Sequence, residues 1–351
     1  MKKKWLIYGA NGYTGKLIAK QAEKRGLKPI LAGRNSESVA AIAAETGFDS
    51  LVFDLEDAKA VNEALQGISI VLHCAGPFSA TSQPMIEACL RNGCHYLDIT
   101  GEISVFANAH KQSDEARRAD VVLMPGVGFD VVPTDCLAAT LVNALPAATA
   151  IILAFQSGSR MSPGTAKTSI EGLAGGGCVR KDGKLTWVPL AWKTREIPFS
   201  HGKRLAVTIP WGDVFTAYIS TGIPDIEVYM SAPPSSIMQM KRMRMLKPLL
   251  TMQWVQNLMK RRIERSVTGP EVGERQASQM QLWGEVSTAD GRSVSATMTT
   301  PNGYDITVTA SLGIVEYLLE NDVEGGFYTP SLLMGADYAE SLPNVTLQIN
   351  S

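Results

Sequence analysis

Cysteine and histidine are both scarce in this chain. Five cysteines (Cys74, Cys89, Cys94, Cys136 and Cys178) are scattered through 351 residues with no C-x-x-C pair. An odd number at such spacings does not describe a disulfide framework; it reads as free thiols in a reducing compartment, with a cytoplasmic location expected. The four histidines form no H-x-x-x-H or H-E-x-x-H arrangement, so no metal site is expected. Charge of one sign is missing too. The formal net charge of −1 excludes a globally basic nucleic-acid binder.

Long apolar runs are equally rare. The exception, residues 136–155, carries no charge for about the length of a bilayer span, but Pro146 interrupts it and Asn143 dilutes it. It reads as a buried helix up to Leu145 followed by a buried strand from Ala150. Lys2, Lys3 and Lys4 precede only four apolar residues before Gly9. That is too short for the apolar region of a signal peptide, about 7–15 residues, and suits a strand.

The length predicts about two domains. As far as residue 128, short apolar runs (5–8, 30–32, 51–53, 70–73, 96–99 and 121–124) alternate with helical patterns at 13–25, 36–46, 57–65, 82–92 and 104–118. Ser36 and Asp57 stand where helix N-caps belong. The alternation predicts an α/β fold of Rossmann type, a doubly wound parallel sheet with helices on both faces.

In that setting the first strand–helix junction acquires a function. Gly9, Gly12 and Gly15 recur every third residue in "YGANGYTG". A glycine leaves the strand sharply, a second admits a pyrophosphate to the backbone, and a third packs helix on strand, with the helix N-terminus facing the anion. Asn11, Tyr13 and Thr14 complete this candidate dinucleotide turn. At the end of the second strand an acid would suit NAD; here Arg34 occupies the place, with Asn35 and Ser36 beside it. A guanidinium suits a 2′-phosphate, so NADP is the expected cofactor. Asp54, after the third strand, is read either as an adenine contact or as a cap of the next helix. The fourth strand ends in "HCAGPF", where Ala75, Gly76 and Pro77 would face the nicotinamide ribose, and Cys74 reads as a structural thiol.

The stretches "YGANGYTG", "AGR", "HCAGPF", "ACLRNGCHYLDITGE", "GVGFDVVPTD" and "GGFYTPS" resemble the saccharopine dehydrogenase-like oxidoreductases, most of all the branch named for trans-acting enoyl reductases. The likeness is dense over residues 1–180, thin over 230–300, and returns near Gly325. It implies an NADP-binding Rossmann domain (1–130), a second α+β domain with a mixed or antiparallel sheet (131–310) serving substrate and dimerisation, and a segment (311–351) packing back on the first domain. Gly9, Gly12, Gly15, Arg34 and the 75–77 loop carry over as cofactor contacts. Activities in the family vary between imine reduction and reduction of an enoyl chain on a carrier, so the resemblance alone does not choose the reaction.

Hydride chemistry asks the protein for orientation and a proton. "HYLDITGE" ends the fifth strand with Asp98 and Glu102, a pair that could raise one pKa; read otherwise, Thr100 and Glu102 open the next helix as a cap. Asp130, after the sixth strand, is the third candidate acid. Residues 162–177, with Lys167 and a triple glycine at 175–177, read as a lid or as a plain connection. No tyrosine has lysine four residues later, which sets aside the short-chain dehydrogenase mechanism.

Further on, alternating stretches such as "RLAVTIPW", "DIEVYM" and "SVSATMTT" predict antiparallel strands, with Asp290-Gly291 as a hairpin turn. Residues 237–266, opening on Ile237 and closing on Ser266, are rich in methionine and carry eight cations against the single acid Glu264. Such a segment suits a membrane surface or a partner, or packing on its own domain or in a homodimer; the resemblance to the enoyl reductases implies an acidic acyl carrier as that partner. The expected activity is NADP-dependent reduction of a double bond in an apolar or carrier-linked acyl substrate. The alternatives are imine or keto reduction of a small amino-acid-like metabolite, and a non-catalytic NADP sensor or scaffold.

Overall fold

The computed structural model describes residues 3–350 apart from 159, 161, 163, 165, 167–174, 247–251 and 268. Lys167, Pro248 and most of the expected lid at 162–177 therefore lie outside the described residues. The chain divides into two compact units, Met1–Asp130 with Ile306–Leu333, and Val131–Asp305 with Met334–Ser351.

The first unit alternates β1 (Lys4–Tyr8), α1 (Tyr13–Lys24), β2 (Ile30–Gly33), α2 (Ser36–Thr46), β3 (Ser50–Val52), α3 (Ala58–Ala64), β4 (Ile68–His73), α4 (Phe78–Asn92), β5 (His95–Asp98), α5 (Ile103–Lys111), α6 (Ser113–Ala119) and β6 (Val122–Met124). These six strands lie in the order β6-β5-β4-β1-β2-β3, and Gly326–Phe327 adds a seventh beside β6. All pairings are parallel. The strand order reverses between β1 and β4, which opens a crevice at their carboxyl ends where ligands of such sheets bind. Strands covered on both faces must be apolar throughout; Leu6, Ile7, Ile70, Val71, Leu72, Tyr96 and Leu97 are accordingly fully buried.

Three local expectations change. The helix expected from residue 82 begins at Phe78, with Pro84 inside it. Residues 104–118 form two helices, parted at Gln112. The N-cap of α2 is Asn35 rather than Ser36, its carbonyl accepting from the Ser38 amide at 2.9 Å. Asp57 caps α3 as its position predicts.

The second unit opens with α7 (Val132–Ala144) and β7 (Ala150–Gln156), so the uncharged run is a buried helix and strand. It continues through β8 (Gly177–Lys181), β9 (Lys184–Val188), β10 (Thr194–Phe199), β11 (Gly202–Thr208), α8 (Asp213–Thr221), β12 (Asp225–Ser231), α9 (Pro234–Met243), α10 (Gln253–Ser266), β13 (Gln279–Ser287) and β14 (Ser293–Pro301). The sheet runs β10-β11-β12-β7-β13-β14 and ends on Thr346–Asn350, while the β8–β9 hairpin joins through β12. It is mixed: β7 and β12 run parallel amid antiparallel neighbours.

Two-residue periodicity assigns the faces of this sheet. On β13, Gly284 lies under Leu137 and Leu141 of α7, and a Cβ there would stand 2.7 Å from Leu141. Trp283 points the other way and joins Ala154, Ile197, Phe199, Ala206 and Tyr229 in an apolar cluster. Arg195 of β10 reaches Glu285 of β13 at 2.8 Å and stacks over Trp283. These strands are not neighbours in the sheet, so the sheet rolls over this cluster. The C-terminal segment expected to pack wholly on the first domain divides instead: residues from Met334 belong to the second unit, where the last strand extends the sheet beside β14.

No helix among the described residues is long and apolar enough to cross a membrane. Gly284→Val should force Leu137 and Leu141 out of place and cost about 1–3 kcal/mol, the usual penalty of overpacking. Urea denaturation should show a lower midpoint at an unchanged slope.

Candidate active site

The site is built where the first unit's strands end. Gly9 takes φ +81° and its amide donates to the Ala32 carbonyl at 2.8 Å. A Cβ on Gly9 would strike Ala75 at 2.8 Å, and one on Gly15 would lie 2.2 Å from the Gly9 carbonyl oxygen. Backbone thus meets backbone across the turn, and only glycine allows it. The α1 N-terminus receives no side-chain cap and has no acid in its first turn. A helix start without a side-chain cap and the positive end of the helix dipole suit a diphosphate. The cradle formed by Gly9, Asn11, Gly12, Tyr13, Thr14 and Gly15 fits that group.

Asn11 is placed by its own contacts: its amide reaches the Ser38 hydroxyl at 3.3 Å, and its carbonyl oxygen would stand 2.9 Å from a Cβ on Gly33. Arg34 is exposed at the end of β2. Its charge acts on the buried Tyr8 hydroxyl, whose pKa is pushed up to about 12 by burial and then by Asp54, with Arg34 opposing. Tyr8 donates to the Phe53 carbonyl at 3.2 Å. Asn35 is occupied as the α2 cap. Asp54 does not cap α3; it accepts from the Glu56 amide at 3.1 Å, while Asp57 takes the cap.

The loop after β4 is held from two sides. The Cys74 amide donates to the Tyr8 carbonyl at 2.7 Å. The Thr81 hydroxyl donates to the Ala75 carbonyl at 2.7 Å and lies 2.9 Å from His73 Nε2. With that hydroxyl proton directed at Ala75, Nε2 carries the ring proton and Thr81 accepts it. Burial lowers the His73 pKa to about 3, so the ring stays neutral. Burial also raises the Cys74 thiol, which makes it a poor nucleophile. Sequence pattern singles out neither His73 nor Thr81. The only trace in sequence is a threonine eight positions after a histidine, which has no meaning until α4 turns back over the loop.

The three candidate acids meet different fates. Glu102 is the N-cap residue of α5 by position, yet its carboxylate caps α4: Oε1 accepts from the Phe78 amide at 3.0 Å and Oε2 from the Ser79 amide at 2.8 Å. This anchors Ala75, Gly76 and Pro77 to β5. Thr100 accepts from the Glu102 amide at 3.0 Å, the local turn its alternative reading described. Asp98 is fully buried and accepts three hydrogen bonds, from Tyr96 Oη at 2.6 Å, the Thr100 amide at 2.9 Å and the Gly126 amide at 2.9 Å. Burial raises its pKa to about 6 against those donors.

Asp130 is half-buried in the loop after β6. A Cβ on Gly101 would lie 2.9 Å from its Oδ2, so the carboxyl sits directly against the backbone before Glu102. Thr307, on the helix Gly303–Glu320, fixes the loop by accepting from the Phe129 amide at 2.9 Å. Burial first, then the Glu102 charge, brings the Asp130 pKa up to about 7. The carboxylate pair anticipated between Asp98 and Glu102 is thus an electrostatic coupling between Glu102 and Asp130.

A raised folded-state pKa means that the native chain holds this proton more tightly than the unfolded chain. The associated stability is intact below about pH 4 and is lost as pH rises through about 7. Asp130→Asn should match the parent near pH 4 and exceed it at pH 8. The gain should be on the order of 1–2 kcal/mol after allowance for partial exposure. Urea midpoints across this range test it, and equal midpoints at pH 8 would contradict the assignment.

Comparison with known proteins agrees with this architecture. Residues 5–124 match the saccharopine dehydrogenase NADP binding domain. The saccharopine dehydrogenase-like oxidoreductase of Rattus norvegicus is 24% identical over 204 residues, 50% of this chain and 47% of the rat protein. The trans-acting enoyl reductase of Mycobacterium leprae is 35% identical over 141 residues, 37% of this chain and 33% of that protein. The chain therefore spans about half, or less, of the length of these relatives. Saccharopine dehydrogenase (L-Glu forming) of Saccharomyces cerevisiae shares the fold at a TM-score of 0.68 and 11% identity, covering 99% of this chain and all of the yeast chain. A glycine cradle at the switch point of a parallel sheet, within the segment that matches that domain, makes residues 5–124 an NADP-binding domain of the saccharopine dehydrogenase type, in a chain that is similar over part of its length to the saccharopine dehydrogenase-like oxidoreductases.

Proposed function

We propose that the chain is an NADP-dependent reductase of a carbon–carbon double bond in an apolar or carrier-linked acyl substrate, with Asp130 as its proton donor. The observation that carries the reading is the placement of Asp130: a half-buried carboxyl beside Gly101 and Glu102, at the same end of the sheet as the glycine cradle. The name of the Mycobacterium leprae relative supports the enoyl class. So does the acidic character of these strand ends, since a metabolite bearing several carboxylates would need cations there.

The residues divide the work. The turn from Gly9 to Gly15, with Asn11, Tyr13 and Thr14, holds the diphosphate at the start of α1; Arg34, with the side-chain nitrogen of Asn35 whose oxygen caps α2, takes the 2′-phosphate, and Asp54 the adenine side. Ala75, Gly76 and Pro77 support the nicotinamide ribose. The reduced nicotinamide, when bound, supplies hydride. Asp130 gives its proton to the carbon that does not receive the hydride, and its pKa near 7 leaves it about half protonated at neutral pH, close to the optimum for a general acid. Glu102 positions the 75–77 loop and keeps Asp130 protonated. Asp98, with its three donors engaged, is a positioning residue that ties β5 to the β6 loop.

NADPH oxidation should be seen with enoyl thioesters and not with keto acids plus amines. Turnover on the second set alone would establish the imine or keto reductase, and tight NADP binding with neither would establish the sensor. Arg34→Gln should reduce the preference for NADP over NAD by about 10- to 100-fold, the worth of a charge-assisted hydrogen bond to a phosphate. Titration of both coenzymes measures this. Asp130→Asn should leave NADP binding unchanged and lower turnover by about 10²–10⁴-fold. The parent's rate should decline above about pH 7 as the donor loses its proton.

A further inference from the structure

Residues 237–266 lie outside the machinery described above, and their charge balance is unlike that of the rest of the chain. Eight cations and one acid give them a net +7, whereas the whole chain carries −1, leaving −8 elsewhere. The segment is anchored at its start. Ile237 of α9 is buried with Ala191 and Val207, and Met240 packs on the same cluster. Arg244 is spent on this anchorage, donating to the Leu190 carbonyl at 2.6 Å and the Ala191 carbonyl at 2.5 Å.

What remains faces outward. Of the large apolar side chains exposed among the described residues, five fall within 238–258: Met238, Met245, Met252, Trp254 and Leu258. Met245 is 81% exposed, and Trp254 and Leu258 are each 63% exposed. Residues four apart share a helix face, so α10 presents Trp254, Leu258 and the exposed Arg262 along one stripe. Val255 and Met259, on a neighbouring face, are half-buried. Packing of the helix therefore does not explain the outward stripe.

We infer that α10 docks this protein onto an anionic lipid surface. Tryptophan and leucine on one face, with Arg262 in line with them and a segment of net charge +7 around them, suit a helix lying in the headgroup region, and tryptophan favours that depth because its ring is amphipathic. An acidic carrier protein would match the charge. It would also have to offer an apolar pocket shaped for each exposed side chain, whereas a bilayer accepts them in any arrangement. The inference stands apart from the redox reading, because it is measured without turnover.

The test is sedimentation of the full chain with phosphatidylcholine vesicles, with and without about a third phosphatidylglycerol. Partitioning should be at least about tenfold stronger on the anionic vesicles, since each cation near such a surface contributes about fivefold, and should weaken as salt is raised. Trp254→Ser with Leu258→Ser should lower it by about tenfold or more while NADP binding stays intact, which shows that the variant is folded. Equal sedimentation with both vesicles, or none, overturns the inference, as does a double variant that binds vesicles like the parent. Purified acyl carrier protein bound by the parent and released by the double variant, with vesicles ignored, would assign the face to a carrier. Loss of a dimer in the double variant, again with vesicles ignored, would assign it to a second copy of the chain.

Discussion

Backbone amides at the carboxyl ends of the parallel strands are the constraint around which this site is arranged. Each strand–helix junction leaves donors that the ladder cannot satisfy, and buried donors must be paired. Asp98 takes two such amides, from Thr100 and Gly126. Glu102 takes the first two of α4. The start of α1 receives no side-chain cap and is kept for an anion. Three junctions of one sheet are therefore resolved in three ways, and only one leaves a ligand site.

The same allocation separates the acids. A carboxylate that accepts several amide bonds is stabilised in its charged form, and one that is buried beside another negative group is not. Asp98 feels burial against its three donors and settles at about 6. Asp130 lies beside Glu102, whose charge adds to burial, and comes up to about 7. The protonation of Asp130 is thus tuned by its neighbour Glu102, itself held in position by α4.

Much of the fold was legible beforehand because it rests on local patterns. The six apolar runs became β1 to β6 within two residues, and the glycine turn fell where the three-residue spacing put it. The misses share a cause in long-range pairing. The early start of α4 depends on a carboxylate 24 positions away. The seventh strand, Gly326–Phe327, is too short to show a period and exists only because β6 offers it an edge. The division of the C-terminal segment follows from the pairing of Thr346–Asn350 with β14, which no local composition announces.

By itself the sequence determined the class of fold, the anion-binding turn and the sign of charge at Arg34, because glycine geometry, strand–helix alternation and residue charge are properties of neighbouring residues. The tertiary structure alone decided how the environments of these acids differ. Asp98, Glu102 and Asp130 look alike in a one-dimensional chain; burial, the reach of distant amides and the closeness of a second charge are quantities that exist only once β5, β6 and α4 are brought together.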